Sequence, residues 1–152
     1  MESNVIRAGR PIEILLVEDS PTDAMMTREA FELSKVLNQL NVVEDGVEAV
    51  AYLNRTGKYS ECARPDVILL DLNLPRKNGL EVLSEIKSSD ALKTIPVVVL
   101  TTSKADEDIV KSYGRHANCY ITKPVDFSKL VDVVGSIREF WFTVVTLPPE
   151  VS

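Results

Sequence analysis

The chain has 152 residues and a net charge of −6, with 45% hydrophobic and 26% charged residues. This length and balance are typical of one globular domain with a sizeable core, which excludes a disordered chain and leaves little room for a separate output module. The acidic balance argues against a nucleic-acid surface, because such surfaces neutralise phosphates with clustered Lys and Arg, and the sequence contains no such cluster.

The beginning of the chain and its cysteines bear on location and redox state. Residues 1–4 lack the basic segment and apolar stretch of a secretory signal, and no apolar run reaches the length of a membrane span. Cys62 and Cys119 are far apart and form no CxxC pair, so neither a zinc site nor a disulfide is indicated. We therefore expect a cytoplasmic protein with reduced thiols.

The first predicted strand, at residues 14–17, is a continuous apolar run, which is typical of a strand covered on both faces in a parallel sheet. A helix is predicted after it, because Ser20 is a candidate N-cap and Pro21 fits the first helical position. Apolar residues then recur at helical spacing. They are Met26, Ala30, Leu33 and Leu37.

The rest of the chain repeats this alternation four more times. Apolar runs at residues 67–70 and 97–100 are again typical of inner strands, while residues 42–43 and 119–121 are weaker candidates. The helices that follow these strands are predicted at residues 46–53, 78–87, 106–113 and 126–142. Successive strand–helix units predict an α/β fold with a parallel sheet and helices on both faces. Ligands of such sheets bind outside the carboxyl ends of the strands.

Chemically active side chains follow four of the predicted strands. They are Glu18 and Asp19, Asp71, Thr101, and Lys123. Taken singly, each acidic residue could equally cap a helix or lie in a solvated loop. Their joint placement at one edge of the sheet favours a shared site instead.

A divalent cation would relieve the mutual repulsion of these carboxylates. Mg²⁺ fits best, because it takes hard oxygen ligands, uses few carboxylates and often pairs with phosphate, and Mn²⁺ could substitute. With the metal present, Asp71 could act as a nucleophile towards phosphorus, while Lys123 neutralises charge on the other side. The pattern therefore indicates phosphoryl chemistry at Asp71.

Residues 15–19, 70–75 and 121–124 read LLVED, LDLNLP and ITKP, and they resemble the response regulator receiver family over roughly residues 12 to 138. The resemblance implies a flavodoxin-like doubly wound (βα)5 three-layer sandwich, with a parallel five-stranded sheet of order 2-1-3-4-5. It also implies that Asp71 accepts a phosphoryl group from a histidine kinase. Such a protein is a signalling switch and not an enzyme, beyond Mg²⁺-dependent self-phosphorylation and self-dephosphorylation.

The resemblance also assigns the other site residues by position. Glu18 and Asp19 match the acidic pair around Mg²⁺, and the backbone carbonyl of Asn73 matches a further ligand. Glutamate is one methylene longer than aspartate, so Glu18 could reach the metal through water. Two further residues match the switch pair of the family, Thr101 as the hydroxyl and Tyr120 as the aromatic, and Lys123 matches its lysine. Plain core packing is the alternative for Tyr120.

The end of the chain suggests a second buried surface. The last predicted helix carries apolar residues around much of its circumference, and residues 143–149 are β-branched and stopped by proline, as in an extended arm. With the 57–59 loop, this ending resembles single-domain regulators paired with bacterial phytochromes, which form homodimers through it. The predicted dimer residues are Phe140, Trp141, Phe142, Val144 and Leu147.

We accordingly expect an N-terminal extension at residues 1–11, a receiver domain at residues 12–142 and a dimerisation arm at residues 143–152. A tail folded over its own domain is the alternative for the arm. The expected partners are a histidine kinase, specifically a phytochrome, and a second copy of the chain, with neither nucleic acid nor membrane involved.

Three other functions fit the sequence less well than a receiver does. A haloacid-dehalogenase-type phosphatase needs an aspartate two residues after its nucleophile, where this chain has Asn73. A flavodoxin-like electron carrier would bind a phosphate at its first loop, where Glu18 and Asp19 would repel it. A pseudo-receiver scaffold would not need the intact acid, hydroxyl and lysine set. His116 as a phosphocarrier is disfavoured, because it suits the end of a helix.

Overall fold

A computed structural model of the chain describes residues 11–34, 37–101, 119–122, 128, 129 and 132. The strands are β1 (Ile12–Val17), β2 (Asn38–Val43), β3 (Val67–Asp71), β4 (Val97–Thr101) and β5 (Cys119–Thr122). The helices are α1 (Pro21–Ser34), α2 (Gly46–Leu53) and α3 (Gly79–Ser88), and a 3-10 turn spans Gly57–Tyr59. None of the helices described is long and apolar enough to span a bilayer.

The five strands form one parallel sheet in the order β2-β1-β3-β4-β5, which confirms the predicted order. α1, α2 and α3 provide the crossovers between the first four strands. Because β2 and β3 lie on opposite sides of β1, the direction of winding reverses between β1 and β3. The carboxyl ends of these two strands therefore flank the crevice in which ligands of doubly wound sheets bind.

The core has two layers, one on each face of the sheet, because successive strand residues point to opposite faces. Leu15, Ile68 and Val99 belong to the layer that includes residues of α2 and α3. Leu16 and Leu69 belong to the other layer, which includes residues of α1. Each fully buried aliphatic side chain contributes about 1.5–3 kcal/mol. Helices thus cover both faces, as the sequence predicted.

The buried face of α1 differs from the predicted stripe. Ala30 is buried as expected, but Leu33 and Leu37 are 74% and 58% exposed. The side packed on the sheet carries Thr27, Ala30 and Phe31 instead. Residues spaced by three and four lie on one helical face, and both sets satisfy that spacing, so only the position of the sheet distinguishes them. α1 also ends at Ser34, before Leu37.

Caps define where the helices begin. The Ser20 hydroxyl accepts a hydrogen bond from the amide of Asp23 at 3.2 Å, which confirms the predicted N-cap of α1. α3 starts at Gly79, one residue later than predicted, because Asn78 is its N-cap. Asn78 and Glu81 exchange side-chain and backbone hydrogen bonds of 2.9 and 3.1 Å, which form a capping box.

β2 is longer than the predicted 42–43 because residues 38–41 also pair with β1, although three of these four side chains are polar. Its partners in the described sheet lie on one side only, so polar residues are tolerated there. The predicted extension up to residue 10, the helix at residues 106–113 and the arm lie outside the described residues. Of the predicted last helix, Ser128, Lys129 and Asp132 are described, and they are helical.

Candidate metal centre

The site lies at the carboxyl edge of the sheet, where three strands end at the same level. Glu18 and Asp19 directly follow β1, Asp71 is the last residue of β3, and Thr101 is the last residue of β4. The register pairs Val17 with Leu70, so the residues that follow each of them emerge side by side. The fold thus brings Glu18, Asp19 and Asp71 together as the sequence predicted.

One carboxylate oxygen from each of Glu18, Asp19 and Asp71 lies within 4.8 Å of the other two. Glu18 and Asp71 are each only 2% exposed, whereas Asp19 is exposed. Two carboxylates are therefore withdrawn from water and the third stands at the mouth of the site. This arrangement leaves one side of the cluster open to solvent.

The electrostatics of this cluster favour a bound cation. Two unit charges 4 Å apart repel by about 4 kcal/mol at an effective dielectric constant of 20. A divalent cation would turn that repulsion into attraction to each oxygen. The donor set consists only of carboxylate oxygens, which are hard ligands and suit Mg²⁺ or Mn²⁺ better than softer metals. The residues present therefore fit the predicted metal.

Local hydrogen bonds hold the acidic pair after β1. The amide of Glu18 donates to the carbonyl of Val43 at 2.9 Å, so the end of β1 is attached to the end of β2. The amide of Ser20 donates to Glu18 Oε2 at 3.3 Å and turns that side chain towards the start of α1. Negative charge at a helix N-terminus is stabilised by the helix dipole.

Asp71 is oriented by the loop that follows it. The amide of Asn73 donates to Asp71 Oδ1 at 2.9 Å, and the amide of Leu72 donates to the carbonyl of Leu100 at 3.1 Å. The first bond restricts the rotation of the Asp71 carboxylate, and the second holds its backbone against β4. Asn73 itself is exposed, and its carbonyl as a metal ligand stays a prediction.

Gly79 allows the chain to return beneath the site. A Cβ atom at Gly79 would lie 2.5 Å from both the carbonyl oxygen of Asp71 and the Cα atom of Leu72, too close for any side chain. The Gly79 amide donates to the Leu72 carbonyl at 3.0 Å, which closes the loop. Sequence reasoning missed this role, although a glycine directly after the N-cap Asn78 was a visible signal.

The remaining predicted residues are placed in part. Thr101 is fully buried at the end of β4, and Tyr120 is half-buried on β5, packed against the core layer that contains Leu15. This packing of Tyr120 is compatible both with a switch role and with plain core packing. Lys123 and the five predicted dimer residues lie outside the described part of the chain, so their roles stay predictions.

The family model of the response regulator receiver domain matches residues 14–135. Response regulator Rcp1 of Synechocystis sp. is 48% identical over 138 residues, which cover 91% of this chain and 94% of Rcp1. Among solved structures, the phosphorylated cyanobacterial phytochrome response regulator RcpA is 50% identical with a TM-score of 0.75, covering 89% of this chain and 96% of RcpA. The Mn²⁺-bound form of Rcp1 is 47% identical with a TM-score of 0.74, covering 87% of this chain and 95% of that chain.

Proposed function

This chain belongs to the response regulator receiver family, the signalling phosphoacceptors of two-component systems, and we propose that Asp71 is its phosphoacceptor. The observation that carries the proposal is the position of Asp71 at the end of β3, with a carboxylate oxygen within 4.8 Å of oxygens of Glu18 and Asp19. An acidic cluster of this kind prepares one aspartate for attack on an anionic phosphorus centre only if its charge is neutralised.

Glu18, Asp19 and Asp71 would hold Mg²⁺, with Mn²⁺ as a substitute, and the Asn73 carbonyl would complete the protein ligands. The Mn²⁺-bound form of Rcp1, which is 47% identical to this chain, supports a divalent metal as the ligand of this site. When bound, the metal supplies the positive charge that an incoming phosphoryl group needs. The hydrogen bond from the Asn73 amide holds the Asp71 carboxylate in place for the reaction.

In the transfer, an oxygen of Asp71 forms a bond to phosphorus as the bond between phosphorus and the donor breaks. The donor is a phosphohistidine of a kinase or a small acyl phosphate, and the product is an acyl phosphate on Asp71. Lys123 would neutralise charge on the transferred group. Asn73 stands where a phosphatase of similar chemistry needs an acid, so the product would be hydrolysed by self-dephosphorylation rather than by phosphatase turnover.

Thr101 and Tyr120 would convert this local event into a change of surface. Phosphorylation adds about −1.5 to −2 charges at pH 7 and three acceptor oxygens. The buried hydroxyl of Thr101, at the end of the strand next to β3, would donate to one of these oxygens. Tyr120 is half-buried on the next strand, and it would turn into the space that Thr101 vacates.

A phytochrome is the proposed histidine kinase partner, because RcpA is a phytochrome response regulator of 50% identity. We further propose the receiver domain at residues 12–142 and homodimerisation through residues 143–152 with the aromatic residues before them. Truncation after Arg138 is expected to shift the sedimentation profile from dimer to monomer. An unchanged profile would remove the tail from the interface.

Intact mass spectrometry after incubation with Mg²⁺ and a small acyl phosphate tests the central proposal. One added phosphoryl group is expected in the wild type and in Asp90→Asn, a control at an aspartate whose side chain is 95% exposed. Asp71→Asn is expected to remain unmodified. The same adduct in Asp71→Asn would refute the assignment of Asp71 as the phosphoacceptor. A phosphotransfer screen against purified histidine kinases, phytochromes included, would then identify the donor.

A further inference from the structure

The loop between β3 and α3, residues 72–78, carries Asn73 and so determines part of the site. Its backbone contains a non-glycine residue in the left-handed region, because Arg76 has a φ of 67°. The amide of Lys77 donates to the carbonyl of Pro75 at 2.8 Å, which makes a tight turn centred on Arg76. Residues other than glycine rarely adopt this conformation, because the Cβ atom clashes with the backbone. Contacts outside the loop must therefore stabilise the conformation of Arg76.

Arg76 forms ion pairs with two acidic residues from a distant part of the chain. The Nη1 atom of Arg76 lies 3.1 Å from Asp45 Oδ2 and 4.0 Å from Glu48 Oε2. Asp45 is also the N-cap of α2, because its Oδ1 accepts a hydrogen bond of 2.8 Å from the Glu48 amide. The two oxygens of Asp45 therefore have different tasks, one in the helix and one in the loop.

The backbones meet next to this ion pair. A Cβ atom at Gly46 would lie 1.9 Å from the carbonyl oxygen of Lys77, so the start of α2 rests directly on the loop. Asp45 and Gly46 on one side thus face Arg76 and Lys77 on the other, and we call this arrangement the α2–loop contact. The α2–loop contact combines an ion pair with a backbone contact too close to admit a side chain at Gly46.

Glu48 is itself fixed in the α2–loop contact. The hydroxyl of Tyr59 donates to Glu48, and Lys58 lies 3.4 Å from the same carboxylate. The Tyr59 hydrogen bond, followed by the charge of Lys58, holds the pKa of Glu48 below its ordinary value, so Glu48 is ionised at neutral pH. The Tyr59 ring packs on Tyr52 of α2 with the centroids 5.3 Å apart. Arg76 therefore docks against a preformed acidic pair.

We propose that Arg76 is a positioning residue for the metal centre: its ion pair with Asp45 holds the loop so that Asn73 faces the metal and Asp71. The proposal rests on the proposed function, because it takes the acidic cluster as a divalent-cation site. Arg76 acts through the loop backbone and contacts neither metal nor phosphoryl group. Its own charge would repel the cation, so a purely through-space role has the opposite sign.

This difference in sign makes Mn²⁺ affinity the decisive measurement. Mn²⁺ binding to the full chain is followed by electron paramagnetic resonance of the free ion, without any phosphoryl donor. Arg76→Ala is expected to raise the Kd about two- to fivefold, the range of a partly exposed ion pair. Coulomb repulsion alone predicts a lower Kd for this variant. An unchanged or lowered Kd would overturn the proposal.

A double-mutant cycle tests whether the ion pair is the cause. Asp45→Asn removes the charge but keeps an N-cap residue of equal quality, so α2 stays capped. We expect Asp45→Asn and Arg76→Ala each to raise the Kd, and the double variant to raise it no further than the larger single effect. Effects that multiply would show that the two residues act separately and would overturn the proposal.

Arg55 offers a matched control. It is exposed and has a φ of 56°, so Arg55→Ala changes the same residue type in the same backbone region. Arg55 has no ion pair among the described residues, and its replacement is expected to leave the Kd unchanged. A Kd raised equally by Arg55→Ala would contradict positioning by Arg76. If Arg76→Ala fails to fold, Arg76→Gln takes its place, because positioning again predicts a raised Kd and Coulomb repulsion alone again predicts a lowered one.

Different results would refute the metal centre and the positioning role of Arg76. Wild-type protein that binds Mn²⁺ no more tightly than Asp71→Asn would refute the metal centre, and the inference with it. Wild-type binding that weakens in Asp71→Asn but persists unchanged in Arg76→Ala would refute only the positioning role. The expected result is weakening in both variants, larger in Asp71→Asn.

Discussion

Replacing Gly46 by alanine should destabilise the protein and loosen its metal centre at once. The new Cβ atom would lie 1.9 Å from the carbonyl oxygen and 2.7 Å from the carbonyl carbon of Lys77. Carbon–oxygen contacts are ordinarily about 3.3 Å or longer, so the two backbones must separate by roughly 1.4 Å. Neither is the end of a flexible side chain, because one starts α2 and the other belongs to the 72–78 loop.

The expected cost follows from this overlap. Forcing extra atoms into a packed contact costs about 1–3 kcal/mol. Alanine is favoured over glycine within a helix by up to about 1 kcal/mol, and less at the first residue. We therefore expect Gly46→Ala to lower the free energy of unfolding by about 1–2 kcal/mol, despite the better helix former.

Urea denaturation and Mn²⁺ titration together test this expectation. Gly57→Ala is the control, because Gly57 has a φ of +59° and open space around it. It should cost about 1–2 kcal/mol through backbone strain alone and leave the Kd for Mn²⁺ unchanged. Gly46→Ala should also raise that Kd, since the loop with Asn73 has to move. A Gly46→Ala protein with wild-type stability and affinity would refute the reasoning.

Three further results are expected from urea denaturation. Mg²⁺ at 100 times its Kd should raise the free energy of unfolding by about 2.7 kcal/mol. Asp19→Asn, which removes an exposed proposed ligand, should abolish most of this gain. An equal gain in the variant would contradict the ligand set. Asn78→Ala should cost about 1 kcal/mol by opening the capping box, while Asn78→Asp should be nearly neutral. Burial raises the pKa of Tyr52 from 10 to about 12. The contribution of the protonated Tyr52 hydroxyl to the free energy of unfolding is therefore complete below pH 10 and is lost as the pH rises through 12. The loss of stability between pH 9 and pH 11 should therefore be smaller in Tyr52→Phe, and an identical loss would exclude Tyr52 as a cause.

Much of the fold could be predicted because its signals are local. β3 and β4 are buried on both faces, and this requires the continuous apolar runs that identify them. Ser20 likewise marks the start of α1, because a helix N-terminus needs an acceptor for its unpaired amides. From the order of elements alone, Asp71 falls at the carboxyl edge of the sheet. The position of the proposed phosphoacceptor was therefore predictable without coordinates.

Other features follow from packing that no local pattern encodes. Leu33 fits the helical spacing as well as Phe31 does, yet Leu33 is exposed and Phe31 is 2% exposed, because only the sheet decides which face is covered. The largely polar first half of β2 is a strand because it pairs with the edge of β1. Helical periodicity and strand propensity limit the structures that a segment can adopt. The segments that pack against it determine which structure it adopts and which face it buries.

The metal centre shows the same division. The amino-acid sequence by itself indicated the proposed ligands, since Glu18 and Asp19 follow one apolar strand and Asp71 ends another. Only the tertiary structure decided how the loop after Asp71 is held, because Arg76 and Asp45 are 31 residues apart and meet only when α2 packs beside α3. A local motif specifies chemistry, whereas the precision of a site comes from contacts between segments that are distant in sequence.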